Sequence, residues 1–204
     1  MRLIMLSPPG AGKGTNSRRL SRDTGIAHIS SGDLLRAEIA RGTDRGQRLA
    51  AFVARGDLVP DDLIFEILTP IVVAAAHDTG GYLLDGVPRT LPQALRAAQL
   101  GVELHLVSDA VIYLTAPDQV LTERLIARAR REGRVDDTPT VIEHRLAVFL
   151  EQTQPLVEYY RGRGILLQID ADRPEEEVQA QIRRRLAERG VLAAPAGGGD
   201  GYVR

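Results

Sequence analysis

Short apolar runs alternate with longer amphipathic stretches along most of this chain of 204 residues. A short apolar run is typical of a buried strand, whereas apolar positions that recur every three or four residues are typical of a helix. The runs predict strands near residues 2–6, 27–29, 82–84, 110–114 and 165–169. The stretches between them predict helices near residues 13–24, 61–77, 91–100, 117–131, 139–162 and 174–189. This alternation predicts an α/β fold, in which helices cover both faces of a parallel five-stranded sheet.

Four features depart from this alternation. Residues 30–59 contain short helical patterns around glycines and no apolar run, which predicts a small helical insertion. Residues 129–137 are charged and include a glycine, so we expect an exposed loop between helices. Residues 193–204 lack the apolar residues needed for packing, which predicts a disordered tail. Pro155 falls inside the helix predicted near residues 139–162 and should kink it.

The charge of the chain is nearly balanced, with 26 basic and 27 acidic residues. This balance and a hydrophobic fraction of 44% argue against disorder and against a uniformly basic nucleic-acid surface, so any phosphate binding must be local. The apolar run at residues 3–6 is too short for a signal peptide or a membrane span. We therefore expect a cytoplasmic protein with neither nucleic acid nor membrane as a partner. The absence of cysteine excludes disulfides and thiolate zinc sites.

The segment after the first predicted strand reads SPPGAGKGT at residues 7–15. Its three alternate glycines allow unusual backbone angles, so successive N–H groups can converge on one anion at the start of the next helix. Lys13 would then reach the β- and γ-phosphates of a nucleotide, while Thr15 would bind Mg²⁺. Lys13 is also the only lysine, because the other 25 basic residues are arginines. The segment indicates a phosphate-binding loop, and the alternative is a strand-to-helix turn without a ligand.

The loop departs twice from the strict pattern G-x-x-x-x-G-K-[ST], because Ser7 stands at its first position and Gly14 follows the lysine. Ser7 precedes a proline, which favours an extended backbone that does not require glycine. The departure at Ser7 is therefore compatible with phosphate binding.

Two further motifs follow the second and third predicted strands. They read SSGDLLR at residues 30–36 and LLDGVPRTLPQ at residues 83–93. Ligands of open α/β sheets bind at the carboxyl ends of the strands, which is where both motifs lie. Each motif also fits a helix-capping box, which would pair Ser30 with Asp33 and Thr90 with Gln93.

Six motifs follow one another along the chain: GAGKGT at 10–15, SSGDLLR at 30–36, GDLVPD at 56–61, LLDGVPRTLPQ at 83–93, GRVDD at 133–137 and QTQPLVEYY at 152–160. In these motifs and their spacing the chain resembles the short-lid adenylate kinases, of the nucleoside monophosphate kinase family, over roughly residues 1–190. The resemblance implies a P-loop NTPase-type fold. Its core would comprise residues 1–29, 60–126 and 138–192, with an AMP-binding insertion at residues 30–59 and a short lid at residues 127–137.

The resemblance also implies a reversible, Mg²⁺-dependent transfer of a phosphoryl group from ATP to AMP, giving two ADP molecules. The protein would be a monomer with ATP, AMP and ADP as partners and Mg²⁺, as Mg-ATP, as cofactor. The residues implied for ATP binding are Gly10, Ala11, Gly12, Lys13, Gly14, Thr15, Arg124, Arg128 and Arg173. Those implied for AMP binding are Ser31, Arg36, Asp57, Leu58, Val59, Gly86, Val87, Pro88, Arg89, Gln93, Arg134 and Arg145. Catalysis is implied for Lys13, Arg89, Arg128, Arg134 and Arg145, and Mg²⁺ binding for Thr15 and, through water, for Asp33 and Asp85, without any zinc.

Four positions differ from the pattern expected of this family. Ser31 replaces the usual threonine and keeps the hydroxyl, and Asn16 replaces the usual glutamine. Asp57 brings a negative charge near an anionic substrate, so we expect it to raise the Michaelis constant for AMP unless only its backbone is used. Val87 replaces a usual aromatic residue and would leave the base pocket looser.

Arginines are concentrated between residues 124 and 134, where there are five of them and one acidic residue, Glu132. Arg124 and Arg128 are four positions apart, so they share one face of the predicted helix. This arrangement favours a phosphate-binding role over the alternative, which is a solvated helix end.

Three other functions stay open at this point. A UMP/CMP-type kinase would share the fold, but those relatives tend to have Ala and Asn where this chain has Ser31 and Gln93. A guanine-nucleotide switch reads its base with Asn-Lys-x-Asp, and the only lysine of this chain already lies in the loop. A non-catalytic nucleotide-binding module is disfavoured by the loop lysine and the matching arginines.

Overall fold

The computed structural model of the protein describes residues 1–55, 57–132 and 138–193. Its sheet contains β1 Arg2–Leu6, β2 Ala27–Ser30, β3 Tyr82–Asp85, β4 Ala110–Thr115 and β5 Leu166–Asp170. The strands lie in the order β2-β3-β1-β4-β5, and every neighbouring pair is parallel. The predicted five-stranded parallel sheet is therefore confirmed, and no strand end differs from its predicted position by more than one residue.

The helices of the described residues are α1 Lys13–Thr24, α2 Ser31–Ala40, α3 Asp44–Arg55, α4 Asp61–Thr79, α5 Leu91–Glu103, α6 Asp118–Glu132, α7 Pro139–Val148, α8 Pro155–Gly162 and α9 Glu175–Glu188. They cover both faces of the sheet. Successive residues of a strand point to opposite faces, so alternate residues of one strand pack against different helices. On β1, Ile4 belongs to the core that includes α4 and α5, whereas Leu3 and Met5 belong to the core that includes α1 and α9. Within the described ranges, no helix combines the length and the hydropathy of a membrane-spanning segment.

The predicted helical insertion consists of α2 and α3, which lie between β2 and α4. Gly46 lets α3 approach α2, since a β-carbon there would lie 2.5 Å from the carbonyl oxygen of Glu38. The buried carboxylate of Glu38 accepts hydrogen bonds from Arg41, Thr43 and Arg45. These contacts join the two helices at the turn between them.

The long helix predicted near residues 139–162 is interrupted. A π-helical turn, Phe149–Thr153, follows α7 and ends just before α8 begins at Pro155. Proline lacks an N–H, and its ring collides with the carbonyl group four residues earlier, so a regular α-helix does not run through it. Where a kink is expected at Pro155, the structure has a π turn in the preceding residues.

The segments that follow β1, β2 and β3 emerge at one edge of the sheet, because these strands are parallel. The glycine-rich loop follows β1. The motif at residues 30–36 begins at the last residue of β2, and the motif at residues 83–93 extends beyond the end of β3. The fold therefore gathers the three motifs at the carboxyl edge, where open α/β sheets bind their ligands.

Candidate active site

A wide cleft lies at the carboxyl edge of the sheet, with a volume of about 1290 Å³ that includes open space at its mouth. We name it the loop cleft, because the glycine-rich loop supplies much of its lining. Its lining residues are Ser7, Pro8, Pro9, Gly10, Gly12, Lys13, Gly14, Thr15, Arg18, Ser30, Gly32, Asp33, Arg36, Asp85, Arg89, Arg124, Leu125, Ala127, Arg128 and Arg145.

The loop requires glycine at two positions. Gly10 and Gly12 have φ values of 89° and 79°, and a β-carbon at Gly10 would lie 2.5 Å from the main-chain oxygen of Leu121. Gly12 precedes α1, whose first turn has neither a side-chain cap nor an acidic residue. The N–H groups of this turn have no partner within the helix, so they are available to an anion. Gly14 lies inside α1, so the expectation of an unusual backbone angle is wrong there.

Lys13 forms an ion pair across the loop cleft with Asp85, which is buried at the end of β3. His28 Nε2 lies 3.3 Å from the other carboxylate oxygen of Asp85. Burial lowers the pKa of Lys13; Asp85 opposes this effect, while the charges of Arg89 and Arg145 add to it. Burial by itself would raise the pKa of Asp85, but Lys13 and His28 outweigh it and hold that pKa below its usual range. Asp85 is therefore ionised at neutral pH.

Positive charges converge on the loop cleft. Seven basic side chains and two carboxylates, those of Asp33 and Asp85, line it, which gives a local charge of plus five in a chain of net charge −1. Burial lowers the pKa of Arg89, and the charge of Arg145 lowers it further. Like charges held this close repel one another unless an anion lies between them. The loop cleft is therefore suited to a polyanion.

A second cavity, of about 660 Å³ including open space, borders the helical insertion, and we name it the insertion cavity. It shares Gly32, Arg36, Arg89 and Arg145 with the loop cleft, so the two spaces adjoin. Its lining residues are Ser31, Gly32, Leu35, Arg36, Val53, Asp57, Leu58, Val59, Ile64, Gly86, Val87, Arg89, Gln93 and Arg145.

A buried hydroxyl stands ready for a ligand in the insertion cavity. Ser31 is 1% exposed, and its Oγ has no hydrogen-bond partner among the described residues. Gly86 has a φ of 88°, and a β-carbon there would lie 2.5 Å from this Oγ. The Nε of Arg89 donates to the carbonyl oxygen of Gly86 at 2.7 Å, which holds the guanidinium beside the hydroxyl. Since an unpaired buried hydroxyl is costly, Ser31 is suited to bind a polar group of a ligand.

Gln93 lies in the first turn of α5, which Thr90 caps, and it also lines the insertion cavity. Its N–H donates to Thr90 Oγ1 at 3.3 Å, which is the predicted cap of α5. Its side-chain oxygen accepts from the N–H of Arg89, and its Nε2 donates to Asp61, each at 2.8 Å. The orientation of the amide is therefore fixed before any ligand binds. At α2, Ser30 likewise accepts from the N–H of Asp33 as predicted, at 3.3 Å.

Comparison with known proteins identifies the family. A sequence model of the adenylate kinase family matches residues 5–165. The chain is 45% identical to the adenylate kinase of Parasynechococcus marenigrum over 186 residues, which are 91% of this chain and 98% of that protein. It is 43% identical to the adenylate kinase of Leifsonia xyli subsp. xyli over 190 residues, 93% and 95% of the two chains. It is 41% identical to the adenylate kinase of Thermus thermophilus over 184 residues, 90% and 96% of the two chains. The chain belongs to the adenylate kinase family.

The residues that the family resemblance implies for ATP lie mostly in one place. Seven of the nine line the loop cleft, and Ala11 is buried next to it in the loop. Arg173 lies outside this lining and pairs with Asp170 at 3.0 Å. Arg124 joins the loop cleft to the segment that carries Arg173. It lines the cleft and donates a hydrogen bond of 2.9 Å to the carbonyl oxygen of Ala171.

The residues implied for AMP lie around the insertion cavity, and ten of the twelve line it. Pro88 lines an adjoining space together with Lys13, Arg89 and Arg145. Arg134 lies outside the described residues, as do residues 133–137 of the expected lid and most of the expected tail.

The Asp57 carboxylate is held by an arginine and a histidine. Arg55 Nε donates to Asp57 Oδ2 at 2.6 Å, and His144 Nε2 lies 2.9 Å from Asp57 Oδ1. These hydrogen bonds lower the pKa of Asp57. The carboxylate does line the insertion cavity, but its charge is partly compensated, so its repulsion of an anionic ligand is weaker than the sequence alone suggests.

Oxygen ligands suited to Mg²⁺ also lie in the loop cleft. Thr15, Asp33 and Asp85 all contribute to its lining. A hydroxyl and two carboxylates are ligands that Mg²⁺ prefers, so the residues present fit the cofactor of the family. Within the described residues, no group of three or more histidine, aspartate or glutamate side chains is arranged to hold a metal ion.

Several lining residues are missing from the set predicted from the sequence. Arg18 lines the loop cleft, and Leu35, Val53 and Ile64 line the insertion cavity. His28 is also absent from the predicted set, although its Nε2 lies 3.3 Å from Asp85. Arg18 could have been found, because it lies in the helix that begins with the loop lysine. The apolar residues come from three different helices, and only the folded arrangement brings them together.

Proposed function

We propose that this protein transfers a phosphoryl group reversibly between ATP and AMP, giving two ADP molecules. The observation that carries the proposal is that the loop cleft and the insertion cavity meet at Arg36, Arg89 and Arg145. ATP binds in the loop cleft with its phosphates on the loop, and AMP binds in the insertion cavity with its phosphate toward the shared arginines. The two reacting phosphates then lie where positive charge is concentrated.

The reaction requires no general base. The second pKa of a phosphate monoester is about 6, so the attacking oxygen of AMP is already anionic at neutral pH. That oxygen forms a bond to the γ-phosphorus of ATP, while the bond between this phosphorus and the β–γ bridging oxygen breaks and releases ADP. Lys13, Arg89, Arg128, Arg134 and Arg145 stabilise the negative charge of the transferring group.

The remaining contacts distinguish the two nucleotides. Gln93 binds the adenine of AMP, and the hydroxyl of Ser31 contacts the same nucleotide. Arg124 and Arg128 bind the phosphates of ATP, and Arg173 contacts its adenine through the main chain. The fixed amide of Gln93 and the unpaired hydroxyl of Ser31 support these roles.

The chemistry that Mg²⁺ would supply, bound with ATP, is neutralisation of charge on the β- and γ-phosphates. Thr15 would hold this ion directly, and Asp33 and Asp85 would hold it through water. Without a nucleotide, Asp85 is paired with Lys13. Binding of ATP therefore frees the Asp85 carboxylate, because the Lys13 ammonium turns to the phosphates.

Closure of two segments over the nucleotides belongs to the same proposal. The AMP-binding insertion at residues 30–59 and the lid at residues 127–137 close on the core domain, which excludes water from the reaction. The contact between Asp57 and His144 supports this, because it joins the insertion to α7. The protein acts as a monomer in the cytoplasm, as is typical of the family.

A coupled assay that offers ATP with AMP, CMP, UMP or GMP in parallel tests the proposal. We expect AMP to have the highest kcat/KM. A higher value for UMP or CMP would instead show a pyrimidine monophosphate kinase, and no turnover with any of the four would show a binding module.

A further inference from the structure

α9 carries a polar residue in the face that packs against the sheet and α1. The buried residues of this helix are Val178, Gln179, Ile182 and Leu186, and Gln179 is 2% exposed. A buried amide without a hydrogen bond would destabilise the fold. Gln179 therefore needs a partner inside the protein.

The partner of Gln179 is Asn16, in the first turns of α1. Gln179 Nε2 donates to Asn16 Oδ1 at 2.7 Å and to the main-chain oxygen of Asn16 at 3.1 Å. Asn16 is 5% exposed, so both bonds are shielded from water. The Nδ2 of Asn16 in turn donates to the carbonyl oxygen of Gly12 at 3.0 Å, and its main-chain N–H donates to the same oxygen at 3.0 Å.

This series of bonds ends on a peptide group of the phosphate-binding loop. A trans peptide group is planar, so the C=O of Gly12 and the N–H of Lys13 point in opposite directions. Since the carbonyl is held toward Asn16 and the helix, the N–H of Lys13 is turned toward the loop cleft, which both residues line. An N–H at the start of a helix is a phosphate donor.

We propose that Gln179 is a positioning residue for ATP, which acts through Asn16 to fix the orientation of the Gly12–Lys13 peptide group. The inference rests on the proposed function and adds to it a residue 163 positions away from Asn16 in the chain. Because Gly12 fixes the amide of Asn16, Asn16 Oδ1 faces Gln179 and needs a donor there. The Oε1 of Gln179 has no hydrogen-bond partner among the described residues. The side chain therefore acts as a hydrogen-bond donor, through its Nε2, to Asn16.

The test uses two variants of Gln179 that keep its length. Gln179→Met removes both polar atoms, and Gln179→Glu keeps the oxygen but replaces the donor with a second acceptor against Asn16. Each variant is titrated with MgATP by calorimetry in the absence of AMP, and KM is measured for ATP and for AMP. We expect the Kd for MgATP to rise about tenfold in Gln179→Met, and more in Gln179→Glu, while the KM for AMP stays unchanged.

Leu186→Ala is the matched control. Leu186 is fully buried on the same helix, about 10 Å further along it. Its loss should lower the melting temperature by creating a cavity, without changing the Kd for MgATP. If Gln179→Met binds MgATP like the wild type, or if Leu186→Ala weakens binding equally, the inference is wrong. A wild-type protein that fails to bind MgATP would contradict the proposed function instead.

A double-mutant cycle tests the path through Asn16. Asn16→Ala alone should weaken MgATP binding as much as Gln179→Met does, and the second substitution should then add little. This variant leaves every side chain of α9 in place, so it also tests the inference if Gln179→Met does not fold. Losses of affinity that simply add would show that the two residues act separately, which would overturn the inference.

Discussion

The phosphate-binding loop takes its binding groups from consecutive residues, whereas the insertion cavity takes its groups from segments spread between Ser31 and Arg145. In the proposed function the loop uses main-chain N–H groups and one ammonium, groups that recognise a phosphate whatever base it carries. The insertion cavity uses side chains, several of which are held by partners of their own, as Gln93 is by Arg89 and Asp61.

This difference separates affinity for phosphate from selection of the nucleotide. Changes at the loop should reduce the reaction with every acceptor alike. Changes at the insertion cavity should alter which acceptor is used, and should leave phosphate transfer itself possible. Substitutions on the two sides therefore test whether the division is real.

Lys13→Met should have the largest effect, a loss of turnover of at least about a hundredfold with every monophosphate acceptor. Met keeps the length of the side chain but removes the charge meant for the β- and γ-phosphates. The coupled assay with all four acceptors measures the loss, and a loss confined to AMP would contradict the division between the two sides.

Stability needs its own control in this variant. Lys13→Met leaves the buried Asp85 with His28 as its partner, so we expect a lower melting temperature as well. Adding Asp85→Asn should restore much of the melting temperature without restoring turnover. Recovery of both would mean that Lys13 acts mainly in the fold.

Arg128→Ala should lower turnover by at least about tenfold and affect KM less, because we propose that the lid arginines contact the transferring phosphate most closely in the transition state. Arg128 lines the loop cleft, whereas Arg130 is exposed outside its lining. Arg130→Ala is the matched control and should change turnover less than about threefold. Steady-state kinetics at one ionic strength compare the two, and equal small effects would indicate a solvated helix end.

Gln93→Ala should reduce the preference for AMP over CMP by about 1 to 3 kcal/mol, the scale of a hydrogen bond to a base. The measurement is the ratio of kcat/KM for the two acceptors. Thr90→Ala serves as the control, since it removes the helix cap but leaves the amide of Gln93 in place. An unchanged ratio in Gln93→Ala would limit this residue to holding Arg89 and the helix start.

Glu38→Gln, in the helical insertion, should have the smallest effect. We expect a lower melting temperature of the protein at pH 7 and little change in turnover. The hydrogen bond from Arg45, together with those of its neighbours, holds the pKa of Glu38 below its usual value. A glutamate whose pKa is lower in the folded than in the unfolded protein stabilises the fold at a pH above its unfolded pKa of about 4.3. This stabilisation is lost as the pH falls through the folded pKa. Melting temperatures of the two proteins should therefore approach each other as the pH falls below about 4.3 and through the folded pKa, and a constant gap would contradict the ion-pair assignment.

The fold was largely readable from the sequence because its signals are local. Each strand is one apolar run, and the loop at residues 7–15 is a continuous segment whose glycines, lysine and helix start lie within a few residues of each other. The π turn before Pro155 was only partly predictable, since proline marks where a helix is interrupted but not how the preceding turn adjusts.

The site was less readable wherever it depends on pairs of distant residues. The sequence shows Asp57 as a negative charge near a substrate, but it does not show that Arg55 and His144 hold that charge. The contact between Gln179 and Asn16 likewise joins positions at opposite ends of the chain. The contact between Gln179 and Asn16 follows from the packing of α9 against α1. The pattern of residues along the chain does not show how these two helices are aligned.

The single lysine also has a practical consequence for handling the protein. Lys13 holds the only ε-amine of this sequence, and it lies in the loop cleft next to Asp85. An amine-directed acylating reagent would therefore act on the side chain of one residue, and because burial lowers the pKa of Lys13, more of its reactive free amine is present than in an ordinary lysine. Protection of that amine by a bound nucleotide could be read as a mass difference on the intact protein. Conversely, attaching the protein to a surface through its lysine would block the group that we propose binds the phosphates of ATP.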